Sequence, residues 1–481
     1  MSKFSVVDGA LNHFTNSPTP FHNCANLVTM LGESFEKLSE DEKWEGKIKP
    51  NGKYYYTRNT STLVAFCVGG AYDASNPGGF KVIGGHTDSP NLRIKPCSKN
   101  GTSAGKITQL NVECYGGGLW HTWFDRDLSI AGRVIVSTPD GKFTQHLVNL
   151  KKPVCRVPSL CIHLQSGDER ASFKVNKENH LQPIFAQVVK DTLEAPASKK
   201  AKTDEAAEEK NAWREGHDST LLKLIAEELS IEVAQIADFE LALYDTQPAA
   251  LGGANEEFLY AARLDNQATC YTSIQSLTQY AANKEMLEKD ADIAMVCLFD
   301  HEEVGSASQC GAGSPIMGEA VRRVSSALNN GGGNEDFFQT TCRRSFVFSV
   351  DMAHAIHPNY ASKHEKNHSP DLNAGVVIKT NSNQRYTTNA FTGFVIREIG
   401  RRKNVPIQEF VVRNDCPCGS TIGPIISEKT GIRCVDAGMP QLSMHSCREM
   451  MGTHDLQLCI DLFNGFFELF RNIDESCYLC S

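Results

Sequence analysis

The sequence predicts an α/β sandwich with a mixed or parallel sheet and a second, β-rich domain inserted into it. Strand-like and helical patterns alternate after residue 245, and apolar runs that end in glycine lie before residue 97. Between them the pattern changes to alternating strands with glycine turns. Since 481 residues exceed what one small core organises, we expect two domains: a discontinuous main domain, 1–96 and 246–481, and an insert, 97–245.

The first predicted elements are a helix and two buried strands. The segment NSPTPFHNCANLVTML supplies turn and cap residues before a helix. Its apolar positions recur at helical spacing: Cys24, Leu27, Val28 and Leu31. STLVAFCVGG and FKVIGGH are apolar runs with glycine at or near their ends, as expected of buried strands whose carboxyl ends open into a site. His86 lies at the second of these ends.

The insert is predicted from hairpin signals. In RVIVSTPDGKFTQHLVNL, Asp140-Gly141 marks a tight turn between two strands. Residues 193–216 are rich in Ala, Lys and Glu and almost free of large apolar side chains. A segment of this composition buries too little apolar surface to fold, so we expect a disordered surface loop there.

Helices and strands alternate in the C-terminal half. DIAMVCLF and SFVFSV are predicted buried strands, and FTGFVIREIGRR is a predicted helix before the strand PIQEFVV. The last segment is predicted to be an amphipathic helix with apolar residues at i, i+3 and i+4. These residues are Cys459, Leu462, Phe463, Phe466, Phe467 and Phe470. Sites in such folds form beyond the carboxyl ends of the strands.

Charge and cysteine content argue against several classes of protein. The net charge of -9 offers no general attraction to nucleic acid or to an anionic membrane, and no apolar run is long enough to span a bilayer. The start, MSKFSVVDGALNHF, lacks the apolar core of an export signal. The 17 cysteines are odd in number and irregularly spaced, which favours reduced thiols. We therefore expect a cytoplasmic protein.

Five short segments place an imidazole or a carboxylate directly after a strand-like apolar run. The residues are His86 and Asp88, Asp265, Glu302 and Glu303, Asp351 and His354, and His445. Asp, Glu and His without cysteine are the ligands typical of hydrolytic zinc or manganese sites. Two ions sharing a site need a bridging carboxylate and two further ligands each, which two His, two Asp and one Glu provide. The pattern predicts a dinuclear metallohydrolase.

Two short motifs have distinct expected roles. The side chains of Glu302 and Glu303 leave the backbone in different directions, so one can bind metal while the other acts as general base. The residues alone do not say which. In His86-Thr87-Asp88 the outer side chains of an extended segment point the same way, so Asp88 is expected to orient the His86 imidazole.

Longer motifs carry a resemblance to a known family. They are GGHTDSPNLRIKP (84–96), YGGGLWHTWFDRDLSIAGR (115–133), RLDNQATCY (263–271), FDHEEVGSASQCGAGSP (299–315), SVDMAHAIHPNY (349–360) and GMPQLSMHSCREMMGTHD (438–455). From Phe4 to about Phe470 the chain resembles the aspartyl aminopeptidases, dinuclear metallopeptidases that remove an N-terminal Asp or Glu from peptides. The resemblance implies an α/β/α sandwich metallopeptidase domain with an inserted dimerisation domain.

The resemblance also implies roles for individual residues. The implied metal ligands are His86 and Asp351 for one ion, Glu303 and His445 for the other, and Asp265 for both. The implied catalytic residues are Glu302, as general base, and Asp88. Zinc is the expected metal, with manganese or cobalt as alternatives.

Substrate contacts and assembly follow from the same resemblance. The implied contacts with the peptide are His163, Glu302, Asp351, His354, Lys379 and Tyr386. Lys379 would face the acidic side chain of the substrate, where a shielded ammonium makes a strong charge-assisted bond. His163, in the insert, would enter the active site of a neighbouring subunit and donate to the oxyanion. The implied assembly is a tetrahedral dodecamer built from dimers.

Other functions are compatible with the residues. A related dinuclear enzyme, such as a neutral aminopeptidase or an N-acyl amino acid deacylase, would share the metal ligands and differ around Lys379. A non-catalytic assembly protein of the same fold would be indicated by a lost ligand or a lost Glu302, and both are retained. For His163, a buried structural histidine is the commoner meaning of SLCIHL from composition alone.

Overall fold

The structure, a computed structural model, describes residues 3–100, 106–187 and 212–477. The chain divides into two compact units, Met1–Ser89 with Pro248–Ser481, and Pro90–Gln247. We call them the first and the second unit. The second unit begins earlier than the insert predicted at 97–245 because a single strand, Asn91–Lys99, spans the predicted boundary.

The strands of the described ranges are numbered in chain order. They are β1 Glu36–Lys37, β2 Lys53–Arg58, β3 Thr62–Val68, β4 Phe80–His86, β5 Asn91–Lys99, β6 Ile107–Tyr115, β7 Leu128–Ser137, β8 Phe143–Asn149, β9 Ile184–Gln187, β10 Ile236–Asp245, β11 Ala250–Gly252, β12 Phe258–Ala261, β13 Ile293–Phe299, β14 Phe346–Val350, β15 Ala353–His354, β16 Val376–Lys379, β17 Ile407–Phe410, β18 Arg433–Gly438, β19 Pro440–Leu442 and β20 Glu449–Gly452.

The α-helices of the same ranges are also numbered in chain order. They are α1 Lys3–Asn16, α2 Pro20–Leu31, α3 Gly167–Ala171, α4 Ala212–Glu215, α5 Ser219–Leu229, α6 Leu264–Ala282, α7 Lys284–Lys289, α8 Ile316–Leu328, α9 Glu335–Arg344, α10 Ala390–Lys403, α11 Ile422–Thr430 and α12 Thr453–Ser476. Among these helices, none combines the length and the apolar character that crossing a lipid bilayer requires.

A nine-stranded mixed sheet forms the centre of the first unit. Its strand order is β1-β2-β3-β13-β4-β14-β18-β16-β17. The four central strands β13, β4, β14 and β18 run parallel, while β3 and β16 pair with them antiparallel. The predicted mixed α/β fold is confirmed. The parallel arrangement brings the carboxyl ends of the central strands to one edge of the sheet.

Helices cover both faces of this sheet because its buried strands are apolar on both sides. Along β13, Ala294, Val296 and Leu298 belong to one core cluster, and their neighbours Met295 and Cys297 belong to the other. The first cluster includes residues of α1, α2, α6, α10 and α12, and the second includes residues of α8, α9 and α11. The six apolar residues predicted to line the C-terminal helix are all buried.

A five-stranded sheet also belongs to the first unit. Its order is β11-β12-β20-β19-β15. β15 ends at His354, and β20 begins at Glu449, directly after the loop that contains His445. This small sheet therefore positions residues from the C-terminal third of the chain.

The second unit contains a six-stranded antiparallel sheet, in the order β8-β7-β10-β5-β6-β9. β7 and β8 form the predicted hairpin, and Gly141 in its turn has a φ of 77°, a conformation that favours glycine. Of the predicted disordered loop, 193–216, residues 193–211 lie outside the described residues. The end of that segment was predicted wrongly, because Ala212–Glu215 form a short helix.

Candidate metal centre

Three neighbouring strands of the nine-stranded sheet deliver acidic and imidazole side chains to the same edge. β4 ends at His86, which pairs with Phe299 at the end of β13. β13 leads into a short 3-10 helix, Glu302–Val304, and β14 is followed directly by Asp351. Because these strands are parallel, their carboxyl ends place the side chains side by side.

Two further residues reach this edge from other elements. Asp265 lies in the first turn of α6 with non-helical backbone angles, φ -80° and ψ 105°, and is buried. His445 lies in the loop between β19 and β20 with a φ of 65°. A non-glycine residue in the left-handed region is uncommon and often marks a functional site.

The two oxygens of Asp265 face two different groups of side chains. Oδ1 lies 3.2 Å from Nε2 of His86, which is itself 3.5 Å from Oδ1 of Asp351. Oδ2 lies 3.6 Å from Nε2 of His445, which is itself 3.3 Å from Oε2 of Glu303. All five predicted ligands are therefore brought together, in two sets that share Asp265.

These residues fit a pair of divalent metal ions. Ligand atoms about 2.1 Å from a tetrahedral ion stand roughly 3.4 Å apart, and the separations above lie close to that value. Asp265 Oδ1 and Glu303 Oε1 are buried and accept no hydrogen bond from the described residues. Buried carboxylate oxygens without donors are costly, and coordination of a cation would satisfy them.

The electrostatics of the cluster show how strongly it attracts positive charge. Burial acts to lower the pKa of His445, but Asp265 and Glu303 outweigh it and raise that pKa to about 12. His86 behaves likewise, since Glu302, Asp265 and Asp351 raise its pKa well above the usual value against the effect of burial. Burial raises the pKa of Glu303 to about 7. In the metal-free protein the imidazoles of His86 and His445 therefore hold protons that bound metal ions would displace.

Asp88 positions more of the site than the sequence predicts. Its Oδ1 accepts a hydrogen bond from the backbone N–H of Glu302, and its Oδ2 accepts one from Glu303, both at 3.1 Å. Nδ1 of His86 lies 3.1 Å from the backbone oxygen of Asp88 and 3.4 Å from Oδ1. The carboxylate of Asp88 therefore holds the Glu302–Glu303 turn as well as lying beside the imidazole.

The predicted substrate contacts Lys379, Tyr386 and His354 lie in the first unit. Lys379 ends β16 and is 3% exposed, with its ammonium 5.5 Å from the ring centroid of Tyr386. Desolvation lowers the pKa of His354 to about 4 although the residue is exposed at the surface; Lys379 adds to this shift, and Asp265 and Asp351 oppose it. His354 is therefore electrostatically coupled to Lys379 on one side and to the metal-site carboxylates on the other.

His163 lies in the second unit, in a short 3-10 helix, Ile162–Leu164. Its side chain is exposed, so the alternative of a buried structural histidine is wrong. The neighbouring Leu160, Ile162 and Leu164 are also exposed, by 51%, 60% and 71%. An apolar patch of this kind is typical of an interaction surface.

Several buried polar residues of the site were missed from the sequence. Nε2 of His13 lies 3.0 Å from Oδ1 of Asn23, and the Asn23 amide donates to the backbone oxygen of Thr87 at 3.2 Å, between His86 and Asp88. Glu449 accepts hydrogen bonds from the backbone N–H groups of Asp265 and His445. His13 and Asn23 lie in helices with no motif around them. Glu449 lies within the family motif 438–455, but it begins a strand instead of following one, so the pattern that marks the ligands does not include it.

Known zinc metalloproteases and aminopeptidases are similar to this chain over most of its length. Residues 13–467 match the family described as Aminopeptidase I zinc metalloprotease (M18). A probable aspartyl aminopeptidase of Ricinus communis is 44% identical over 482 residues, covering 98% of this chain and 96% of the relative. An aspartyl aminopeptidase of Dictyostelium discoideum is 44% identical, with 96% of each chain covered.

Solved structures show the same fold. A chain in the cryo-EM structure of the Ape4 and Nbr1 complex is 41% identical with a TM-score of 0.91, covering 100% of this chain and 88% of that chain. The mApe1 dodecamer of S. cerevisiae is 29% identical with a TM-score of 0.83, covering 98% of this chain and 99% of that chain.

Proposed function

The chain belongs to the M18 family of aminopeptidase I zinc metalloproteases, and we propose that it removes N-terminal Asp or Glu from peptides at a centre of two metal ions. The observation that carries the specificity is the Lys379 side chain, since the residue is 3% exposed. Within the described residues no carboxylate lies at ion-pair distance from it; the ring of Tyr386 lies 5.5 Å away, and Lys379 also acts electrostatically on His354. A lysine so largely shielded from water gains from an anionic partner, and the side-chain carboxylate of the substrate would supply one.

In this proposal Asp265 belongs to both metal sites. His86 and Asp351 would bind one ion, Glu303 and His445 the other, and Asp265 both, as the pairing of its two oxygens supports. Zinc is the metal of the family, and carboxylate-rich sites also accept manganese or cobalt. Bound ions would polarise the substrate carbonyl and lower the pKa of a water molecule.

Glu302 is the proposed general base. Its Oε2 lies 3.9 Å from Nε2 of His86, its side chain is 14% exposed, and it lies within 4.8 Å of ligand atoms of both His86 and Glu303. Burial raises its pKa well above the usual value, Asp351 and Glu303 add to this, and His86 opposes it. A carboxylate whose pKa is raised can take the proton of the attacking water and return it to the departing amine. Asp88 holds the backbone of Glu302 in the position this transfer needs.

The remaining pocket residues bind the substrate. The ring of Tyr386 lies 5.5 Å from the Lys379 ammonium, and Lys379 acts electrostatically on His354. The acidic side chain of the substrate would contact these three residues while its reacting end meets Glu302 and Asp351. Tyr386 is buried and can donate to the same carboxylate. Neutral substrates would leave the Lys379 ammonium uncompensated, which explains a preference for Asp and Glu.

We propose that the chain acts as an oligomer in which the second unit pairs with another copy. The exposed apolar residues around His163 support this, as does the dodecamer formed by mApe1. In such an assembly His163 would enter a neighbouring active site and donate a hydrogen bond to the oxyanion of the tetrahedral intermediate. A tetrahedral dodecamer and a cytoplasmic location stay predictions.

Metal analysis coupled to hydrolysis of Asp-, Glu-, Leu- and Lys-amides tests the proposal. We expect two metal ions per chain, activity on the Asp and Glu substrates only, and loss of that activity with a chelator. Restoration on adding zinc, manganese or cobalt would identify the metals that the site accepts. Equal rates on the Leu and Asp substrates would contradict the specificity, and hydrolysis of an N-acyl amino acid instead would indicate a deacylase.

A further inference from the structure

A carboxylate outside the predicted set, Glu449, holds the main chain of two proposed ligands. Its Oε2 accepts a hydrogen bond from the backbone N–H of Asp265 at 3.0 Å, and its Oε1 accepts one from the backbone N–H of His445 at 2.7 Å. Glu449 is the first residue of β20 and is 3% exposed. One buried side chain therefore ties together two residues that are distant in the sequence.

Both N–H groups need such an acceptor. Asp265 leaves the helical conformation at the start of α6, so its N–H points outside the helix. His445 has a left-handed backbone, which is unfavourable for a non-glycine residue and must be held by its surroundings. A carboxylate makes stronger hydrogen bonds to backbone N–H groups than a neutral acceptor does.

His445 has particular need of this restraint. It is the most exposed of the proposed ligands, with a side chain that is 30% accessible, whereas the side chains of His86 and Asp265 are 1% and 3% accessible. Asp88 acts in the same way on the other half of the centre, where its two oxygens accept from the backbone of Glu302 and Glu303. Two carboxylates thus hold the main chain of four site residues.

We propose that Glu449 is a positioning residue of the metal centre. By accepting from the backbone of Asp265 and His445, it holds both side chains at the separation that the ions require, and so increases metal affinity. The inference rests on the proposed ligand roles of these two residues. Replacing a residue that orients metal ligands typically lowers metal affinity 10- to 100-fold.

The test is the zinc affinity of Glu449→Gln, measured with the purified full chain by competition with a chromogenic chelator. Gln keeps the volume but turns one acceptor into a donor that faces a backbone N–H, so we expect affinity roughly 10- to 100-fold weaker. Glu449→Asp keeps the carboxylate but is one methylene shorter and cannot reach both N–H groups. It should therefore weaken zinc binding as well.

Asp455→Asn is the matched control. Asp455 is also fully buried in the first unit and accepts from two backbone N–H groups, those of Asn373 at 2.7 Å and Gly375 at 3.0 Å. Its replacement should lower the melting temperature of the metal-free protein without changing zinc affinity. The melting temperature of Glu449→Gln should approach that of wild type as zinc is raised to saturation.

The outcomes separate this inference from the proposed function. Weakened zinc binding in both Glu449 variants, with unchanged binding in Asp455→Asn, supports the positioning role. Wild-type zinc affinity in Glu449→Gln overturns it. A Glu449→Gln protein that stays unfolded at every zinc concentration also overturns it, because Glu449 would then be a general core residue. Failure of the wild type to bind two ions would instead contradict the proposed metal centre.

Discussion

Replacement of Lys379 by Met gives the sharpest test of substrate selection. Met fills a similar volume and removes the charge, so the pocket keeps its shape and loses its ammonium. Because Lys379 is buried and has no carboxylate at ion-pair distance among the described residues, its removal leaves no protein anion uncompensated. The variant should therefore be at least as stable as the wild type in the absence of substrate.

The effect on acidic substrates should be large. Removing one partner of a buried, hydrogen-bonded charge pair costs about 2–5 kcal/mol. At about 1.4 kcal/mol for each tenfold change, kcat/KM for an Asp-amide should fall roughly 30- to 4,000-fold. The Leu-amide lacks the carboxylate, so its kcat/KM should stay the same or rise. The metal content should not change, since Lys379 is not a proposed ligand.

Lys81→Met is the matched control for this experiment. Lys81 is also a buried lysine of the first unit, 2% exposed, but it pairs with Asp290 and donates to the backbone oxygen of Phe467 at 2.6 Å. Its replacement leaves Asp290 without its cation and should lower stability while preserving the preference for Asp over Leu. An unchanged Asp-to-Leu ratio in Lys379→Met, with both metals bound, would refute the proposed role of Lys379.

Three other predictions concern catalysis, assembly and acid stability. Glu302→Gln should bind two metal ions normally and lose activity about 10²- to 10⁴-fold, and turnover near the wild-type rate would overturn its role as general base. Ile162→Glu combined with Leu164→Glu should give monomers by light scattering that keep their metals and lose activity; fully active monomers would argue against His163 acting in a neighbouring subunit. Burial lowers the pKa of His13 from 6.5 to about 4, so between these pH values the unfolded chain binds a proton that the folded chain does not. The free energy of unfolding of the metal-free protein should therefore fall by about 3 kcal/mol as the pH drops through that window. Urea unfolding of His13→Gln should show a smaller loss of stability over the same pH range. An equal loss would contradict the role of His13.

Much of the first unit could be predicted because its signals are local. The run STLVAFCVGG and the apolar face of α12 report burial directly, and both are buried as expected. The start of the second unit could not be placed, because β5 combines buried Leu92 and Ile94 with exposed residues and continues across the predicted boundary. Strand pairing with β6 and β10 extends this strand, and pairing partners are not visible in a single segment.

The chemistry of the candidate site was readable residue by residue. Imidazoles and carboxylates after apolar runs identify the ligand types, since coordination preference belongs to the side chain itself. The resemblance to a family separated Glu302 from Glu303, which the residues alone had left equivalent. The structure brings both side chains close to His86, so their separation into base and ligand stays a prediction.

The amino-acid sequence was sufficient for the α/β class, the candidate ligands and the expectation of a metallohydrolase, because these depend on periodicity and on side-chain chemistry. Only the folded chain shows that the oxygens of Asp265 face separate groups, that Asp88 holds the Glu302–Glu303 turn, and that Glu449 anchors Asp265 and His445. These contacts join segments far apart in the chain, so they depend on strand order and backbone angles set by packing. Glu449 lies within the motif 438–455, but the hydrogen bonds that it accepts from the backbone of Asp265 and His445 exist only in the tertiary structure.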